Sequence, residues 1–191
     1  MTKKELRNIY KEKRRSIAAK DKLIWDDLLL IQFQKINLEN IRTVFVYWPM
    51  ENMNEPDTHA AIRYLQYMIP GLQLAYPVIH QNLSSEMKAI LTDDETDFFE
   101  NSLGIIEPEN GTEIYPEKID LVLVPMLICD RAGNRIGFGK GYYDRFLIRC
   151  RKNVLKIAFS YFDPVDKIDD TDAFDVPLNL CITPRTIYEF E

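Results

Sequence analysis

Apolar residues recur every three or four positions early in the chain and gather into short unbroken runs further on. Thr2 stands three residues ahead of Glu5, the spacing of a capping box, in which hydroxyl and carboxylate satisfy free amides at a helix start. The helix it opens has Leu6, Ile9, Tyr10, Lys13 and Ile17 as its expected buried side. On the same helix Lys3, Arg7, Lys11 and Arg14 fall one above another, forming a cationic stripe. A second helix, rich in Leu and Ile, is predicted over residues 21–36. Residues 42–48 read as a buried strand closed by Pro49. Asp57 or Thr58 can cap a helix carrying Ala61, Ile62, Leu65 and Ile69, which stops before Pro70 and Gly71. Short strands are expected over residues 72–76 and 87–91.

Residues 92–118 are acidic and punctuated by Gly and Pro, the pattern of a long irregular connection, and such loops are often functional. Residues 119–125 form the clearest buried strand. A turn at residues 130–134 and a glycine-rich stretch follow. Next comes a helix, starting near Lys140, with Tyr143, Phe146, Leu147 and Cys150 on one face. Further strands are expected at 154–159 and 181–183. Continuously apolar strands alternating with helices indicate an α/β protein whose mainly parallel sheet is covered on both faces.

Composition narrows the class. At 191 residues, 46% apolar and 28% charged, the chain suits a single soluble domain spanning residues 1–191 and excludes wholesale disorder. No apolar run approaches the ~18 residues that a membrane span needs. The opening residues lack the apolar stretch of a secretory signal. Cys129, Cys150 and Cys181 contain no C-x-x-C, and only two histidines accompany them, which disfavours a disulfide framework or a zinc site. A cytoplasmic protein is the expectation.

The charge map says more than the net charge of −6. Residues 1–20 hold eight Lys/Arg against Glu5 and Glu12, and residues 131–156 hold eight against Asp144 alone. The remainder is strongly acidic. The two basic islands are either solvated helix faces or two halves of a site for one polyanionic small ligand. The acidic remainder argues against a nucleic-acid surface.

The second island carries the chemistry. Four of the seven glycines fall between Gly133 and Gly141, around Arg135-Ile-Gly-Phe-Gly-Lys-Gly-Tyr-Tyr-Asp144. Glycine lets backbone amides approach a ligand closely and form an anion nest, and a helix start adds its positive end. Arg135 and Lys140 bring full charge to the same place. The spacing is neither that of a Walker A loop nor that of the dinucleotide fingerprint. Asp144 could hold a Mg2+ bridging phosphate oxygens, or could simply interact with the helix dipole as a first-turn acid.

Residues 124–147 closely resemble the signature of the 5-formyltetrahydrofolate cyclo-ligases, also called methenyltetrahydrofolate synthetases. Lys3-Lys-Glu-Leu-Arg7 with Lys11, Arg14 and Arg15 is similar to that family's first helix. Met50 through Glu55 resembles its substrate-facing segment, Gly104-Ile-Ile-Glu-Pro108 its mid-chain motif, and Asp175-Val-Pro-Leu with Thr183 its C-terminal one. The resemblance implies a three-layer α/β/α fold, similar to sugar-phosphate isomerase and CoA-transferase folds. It also implies conversion of 5-formyltetrahydrofolate to 5,10-methenyltetrahydrofolate, with ATP as co-substrate, Mg2+ as cofactor, and ADP and phosphate released. Carried onto this chain, Lys3, Lys4, Glu5, Leu6 and Arg7 would bind ATP. So would Arg135, Ile136, Gly137, Phe138, Gly139, Lys140, Gly141, Tyr142 and Tyr143. Met50, Glu55 and Tyr142 would contact the folate, and Asp144 and Asp175 would ligate the metal. Lys140, Arg135 and Tyr142 would serve the reaction itself. Asn179 departs from the acidic residue often found there, which puts a contact beside Asp175 in doubt. Small-molecule substrates, no nucleic acid, no membrane and a monomer complete the expectation.

Overall fold

A computed structural model describes residues 1–80 and 86–190, with His80 described by its backbone alone. The helices are α1 (Lys3–Arg15), α2 (Ala19–Phe33), α3 (Thr58–Met68) and α4 (Tyr142–Arg149). The strands are β1 (Thr43–Phe45), β2 (Gln73–His80), β3 (Glu86–Thr92), β4 (Phe98–Glu100), β5 (Ile106–Pro108), β6 (Thr112–Ile114) and β7 (Leu121–Leu123). They continue with β8 (Ile128–Cys129), β9 (Arg135–Ile136), β10 (Leu155–Phe159), β11 (Leu180–Ile182) and β12 (Ile187–Glu189).

Eight strands form the main sheet in the order β12-β11-β10-β7-β1-β2-β3-β6. The central run from β11 to β2 is parallel, and β12, β3 and β6 are antiparallel. Successive side chains enter opposite cores, as strand geometry requires. Val44, Leu121, Leu123, Ile157 and Phe159 pack with Leu29 and Phe33 of α2 and Leu65 of α3. Phe45, Val122, Ala158 and Cys181 pack with Phe146 and Leu147 of α4. Burial on both faces explains the unbroken apolar runs, and the result is an α/β fold of three layers. Among the described residues, no helix is long and apolar enough to cross a membrane.

Three expectations need correction. Residues 92–118 are not one irregular connection: β4 pairs with β5, and β6 extends the main sheet along β3. Three-residue strands show too little alternation to reveal themselves in a sequence. The buried line of α1 is Leu6, Tyr10 and Arg14, whereas Ile9 is 36% exposed and Lys13 lies at the surface. The last helix begins at Tyr142 and not near Lys140, because Gly141 occupies the left-handed N-cap position at φ +68°.

α1 does not belong to either main layer. Leu6 and Tyr10 pack on Leu127, Ile128 and Ile136, on and beside the small β8–β9 hairpin. The Asp130 carboxylate ties that turn by accepting from the Ala132 and Asn134 amides, both at 3.0 Å. The hairpin hands the chain to the glycine-rich loop, which brings the chain's beginning against residues some 130 positions later.

Candidate functional site

The two basic islands meet. Arg7 Nε donates to the Gly137 carbonyl at 3.0 Å, fixing α1 to the glycine-rich loop. Gly139 adopts φ +92°, and a Cβ there would lie 3.3 Å from Arg7 Cζ, so glycine permits both the turn and the close approach. Lys11 Nζ and Arg14 Cζ lie over the Phe138 ring at 5.7 and 5.6 Å. The cationic stripe of α1 is therefore turned toward the loop. Lys140 is exposed at the loop's tip.

The remaining residues of the two segments divide by environment. Lys4 is exposed, while Glu5 closes the capping box by accepting from the Thr2 amide at 2.8 Å. Leu6 and Ile136 are buried together beneath the loop. The Tyr142 ring stacks beneath the Arg145 guanidinium at 5.3 Å, and Tyr143 packs on Phe45 with its hydroxyl buried and unpartnered.

Behind the loop, Arg135 is buried and Nη2 donates to Asp144 Oδ1 at 2.8 Å, while Nη1 donates to the Val176 carbonyl. Burial lowers the guanidinium's pKa, and the adjacent Asp144 works against that shift. The Val176 amide donates to the same Asp144 oxygen at 3.2 Å, which brings Asp144 beside the segment containing Asp175. Asp175 Oδ2 accepts from Lys3 Nζ at 2.5 Å and from the Asp172 amide at 2.8 Å. Lys3's own amide donates to Asp170, so the acidic residues 169–175 anchor the start of α1.

Asp144 and Asp175, the carboxylates expected to hold Mg2+, are engaged through one oxygen each, by Arg135 at 2.8 Å and by Lys3 at 2.5 Å. Among the described residues no group of three or more His, Cys, Asp or Glu is placed to hold a metal ion on its own. Asn179 plays a different part from the one in doubt earlier: its side chain accepts from the Lys156 amide at 2.9 Å, at the start of β10–β11 pairing.

Next to the loop, Arg14 joins a second cluster of side chains. Glu55 is 3% exposed, and its Oε2 accepts from the Met50 amide at 2.9 Å. Burial raises its pKa, with Arg14 opposing that shift. Asn54, left-handed at φ 48°, donates from its side chain to the Arg14 and Ile17 carbonyls at the end of α1. From α2, Asp26 accepts from the Tyr161 hydroxyl at 2.6 Å and from the Asp57 amide at 3.1 Å. Trp48 stands nearby, its ring centroid 4.6 Å from His59 and 4.9 Å from Phe98, with Tyr76 5.0 Å beyond Phe98. Glu107 of the mid-chain motif is buried and accepts from the Ile79 amide at 2.7 Å, pinning the β4–β5 pair against β2.

The sequence reading missed Arg14 as a buried group, Asn54, Asp26 and the aromatic set around Trp48. The first had a legible signal in the stripe on α1. The others join segments far apart in the chain, and no spacing rule reaches them.

Comparison with known proteins gives a consistent result. Residues 1–184 match the model of the 5-formyltetrahydrofolate cyclo-ligase family. A 5-formyltetrahydrofolate cyclo-ligase of Mycoplasma genitalium is 40% identical over 38% of this chain, an alignment that spans 45% of that relative. A mitochondrial 5-formyltetrahydrofolate cyclo-ligase of Arabidopsis thaliana is 30% identical, with 96% of this chain and 78% of that protein covered. The solution structure of Aquifex aeolicus 5,10-methenyltetrahydrofolate synthetase superposes with a TM-score of 0.83 at 25% identity, covering 100% of this chain and 94% of that one.

Proposed function

Because the chain belongs to the 5-formyltetrahydrofolate cyclo-ligase family, we propose that it converts 5-formyltetrahydrofolate to 5,10-methenyltetrahydrofolate at the expense of ATP. The observation that carries this reading is the Arg7–Gly137 bond, which brings the basic start of α1 against the glycine-rich loop that carries Lys140. A triphosphate needs such convergence of cations and loop amides.

The chemistry follows from the electrophile. An N-formyl carbon is unreactive because the nitrogen lone pair is delocalised into its carbonyl. Transfer of the γ-phosphoryl group to the formyl oxygen makes that oxygen a leaving group and the carbon iminium-like. N10 of the folate then attacks, the five-membered ring closes, and phosphate departs. The protein's task is positioning and charge neutralisation. Lys140 reaches from the loop tip to the transferring phosphoryl group, and the amides of residues 137–141 cradle the phosphates. Lys3 and Arg7 neutralise the nucleotide from the α1 side. Asp144 and Asp175 would hold Mg2+, which when bound screens the phosphate charges. Arg135 holds Asp144 in place through the 2.8 Å ion pair.

Beside the loop, Glu55 accepts from the pterin's amino and ring N–H groups, Met50 packs on the ring, and Tyr142 lies between the two ligands. The soft aromatic wall of Trp48 and Phe98 suits a flat heterocycle. Incubation with 5-formyltetrahydrofolate and MgATP should raise the near-ultraviolet absorbance of the methenyl product with one ADP released per product. ADP release that ignores the folate would instead assign the loop to another acceptor, and no turnover with either would overturn the reading.

A further inference from the structure

We propose that Arg14 is a positioning residue for the folate, acting through Glu55, an assignment that rests on the folate reading above. Its guanidinium is 2% exposed and fixed by bonds to two separate segments. Nε donates to the Met53 carbonyl at 2.8 Å, and Nη1 donates to the Met126 carbonyl at 2.9 Å. The Asn54 side chain secures the backbone behind it by donating to the Arg14 carbonyl at 3.1 Å. The planar fork is thus locked in place, and one arm is left over.

That arm points at the carboxylate without closing on it. Among the described residues Nη2 has no hydrogen-bond partner, although it is buried, and it stands 3.7 Å from Glu55 Oε1. At this distance the charges attract, but the oxygen is not consumed by a hydrogen bond. Met50 already occupies Oε2. Oε1 therefore carries no hydrogen bond among the described residues and is the acceptor left for a ligand, beside a cation that favours its charged form without competing for it.

Other groups around Glu55 do not duplicate Arg14. Lys22 of α2 favours the charged carboxylate but pairs with Asp26 at 2.6 Å. Tyr47, on the segment after β1, and Tyr143 of α4 are buried phenols whose pKa values are raised, so both stay neutral at physiological pH. The Tyr161 hydroxyl lies 3.4 Å from the Glu55 carbonyl and gives its shorter bond to Asp26. Arg14 is the cation that directly offsets the burial of this carboxylate. Removing it would push the Glu55 pKa further up, toward neutrality, so a ligand that needs the ionised form would bind better as pH rises. Loss of Arg14 should leave the nucleotide loop largely in place, because Lys11 still covers Phe138 and Arg7 still binds Gly137.

The test is steady-state kinetics on Arg14→Gln, Arg14→Lys, Glu55→Gln and the Arg14→Gln/Glu55→Gln double variant. At pH 7, Arg14→Gln should raise the KM for 5-formyltetrahydrofolate about tenfold or more, with the KM for ATP changed less than threefold. The defect should shrink as pH rises from 6.5 to 8.5, and Arg14→Lys should recover most of the loss. In the Glu55→Gln background, Arg14→Gln should add less than about twofold, because its target is gone. Additive effects, a pH-independent defect, or a larger effect on ATP than on folate would overturn the assignment. If Arg14→Gln does not fold, the neutral double variant and Glu55→Gln decide: similar folate KM values support the assignment, and more than a threefold difference overturns it. Absence of folate turnover in the unmodified enzyme would be a separate result, striking the proposed function.

Discussion

The molecule holds two arginine–carboxylate pairs behind its proposed ligand sites, and they are built differently. Arg135 and Asp144 are closed at 2.8 Å, and the Val176 amide donates to the same carboxylate oxygen. Arg14 and Glu55 are open at 3.7 Å, with a guanidinium nitrogen unpartnered among the described residues. A closed pair is scaffold: it sets where the glycine-rich loop and residues 175–176 lie. An open pair costs desolvation that its own geometry does not return, the arrangement expected where a ligand completes the bonding. On the proposed assignment, the nucleotide side is preassembled by the protein, while the folate side is left incomplete for its substrate.

Breaking the closed pair should have the largest effect. Arg135→Ala leaves Asp144 and the Val176 carbonyl without their shared donor, and urea denaturation should show a loss of about 3 kcal/mol together with loss of turnover. A loss below about 1 kcal/mol would show that this pair is not scaffold. Lys140→Ala sharpens the contrast from the other direction. This exposed cation should leave the urea midpoint unchanged while kcat/KM falls about 100-fold. Full turnover at limiting ATP would remove it from the reaction. A smaller effect is expected from Gly139→Ala, which forces a side chain into φ +92° and to within 3.3 Å of Arg7. It should cost about 1–2 kcal/mol and raise the KM for ATP more than that for folate.

The sequence displayed the layers and the glycine-rich loop well, for a physical reason. Strands buried on both faces must be continuously apolar, as in Leu121-Val-Leu123, and a phosphate-binding bend must spend glycines and cations within a few residues. Both signals are local. The aromatic cluster was nearly invisible because Trp48, His59, Tyr76 and Phe98 come from four segments, one of them in a stretch that reads as irregular. Arg14 was visible only as one of four stacked cations. That it alone is buried depends on the carbonyls of Met53 and Met126, and nothing near it in the chain announces them.

The most direct test of the central claim, that α1 and the glycine-rich loop form one nucleotide site, is a titration of the 15N-labelled protein with MgATP. The amides of residues 3–7 and 137–143 should shift together along curves described by a single dissociation constant. Shifts confined to one segment, or two segments following different constants, would contradict it.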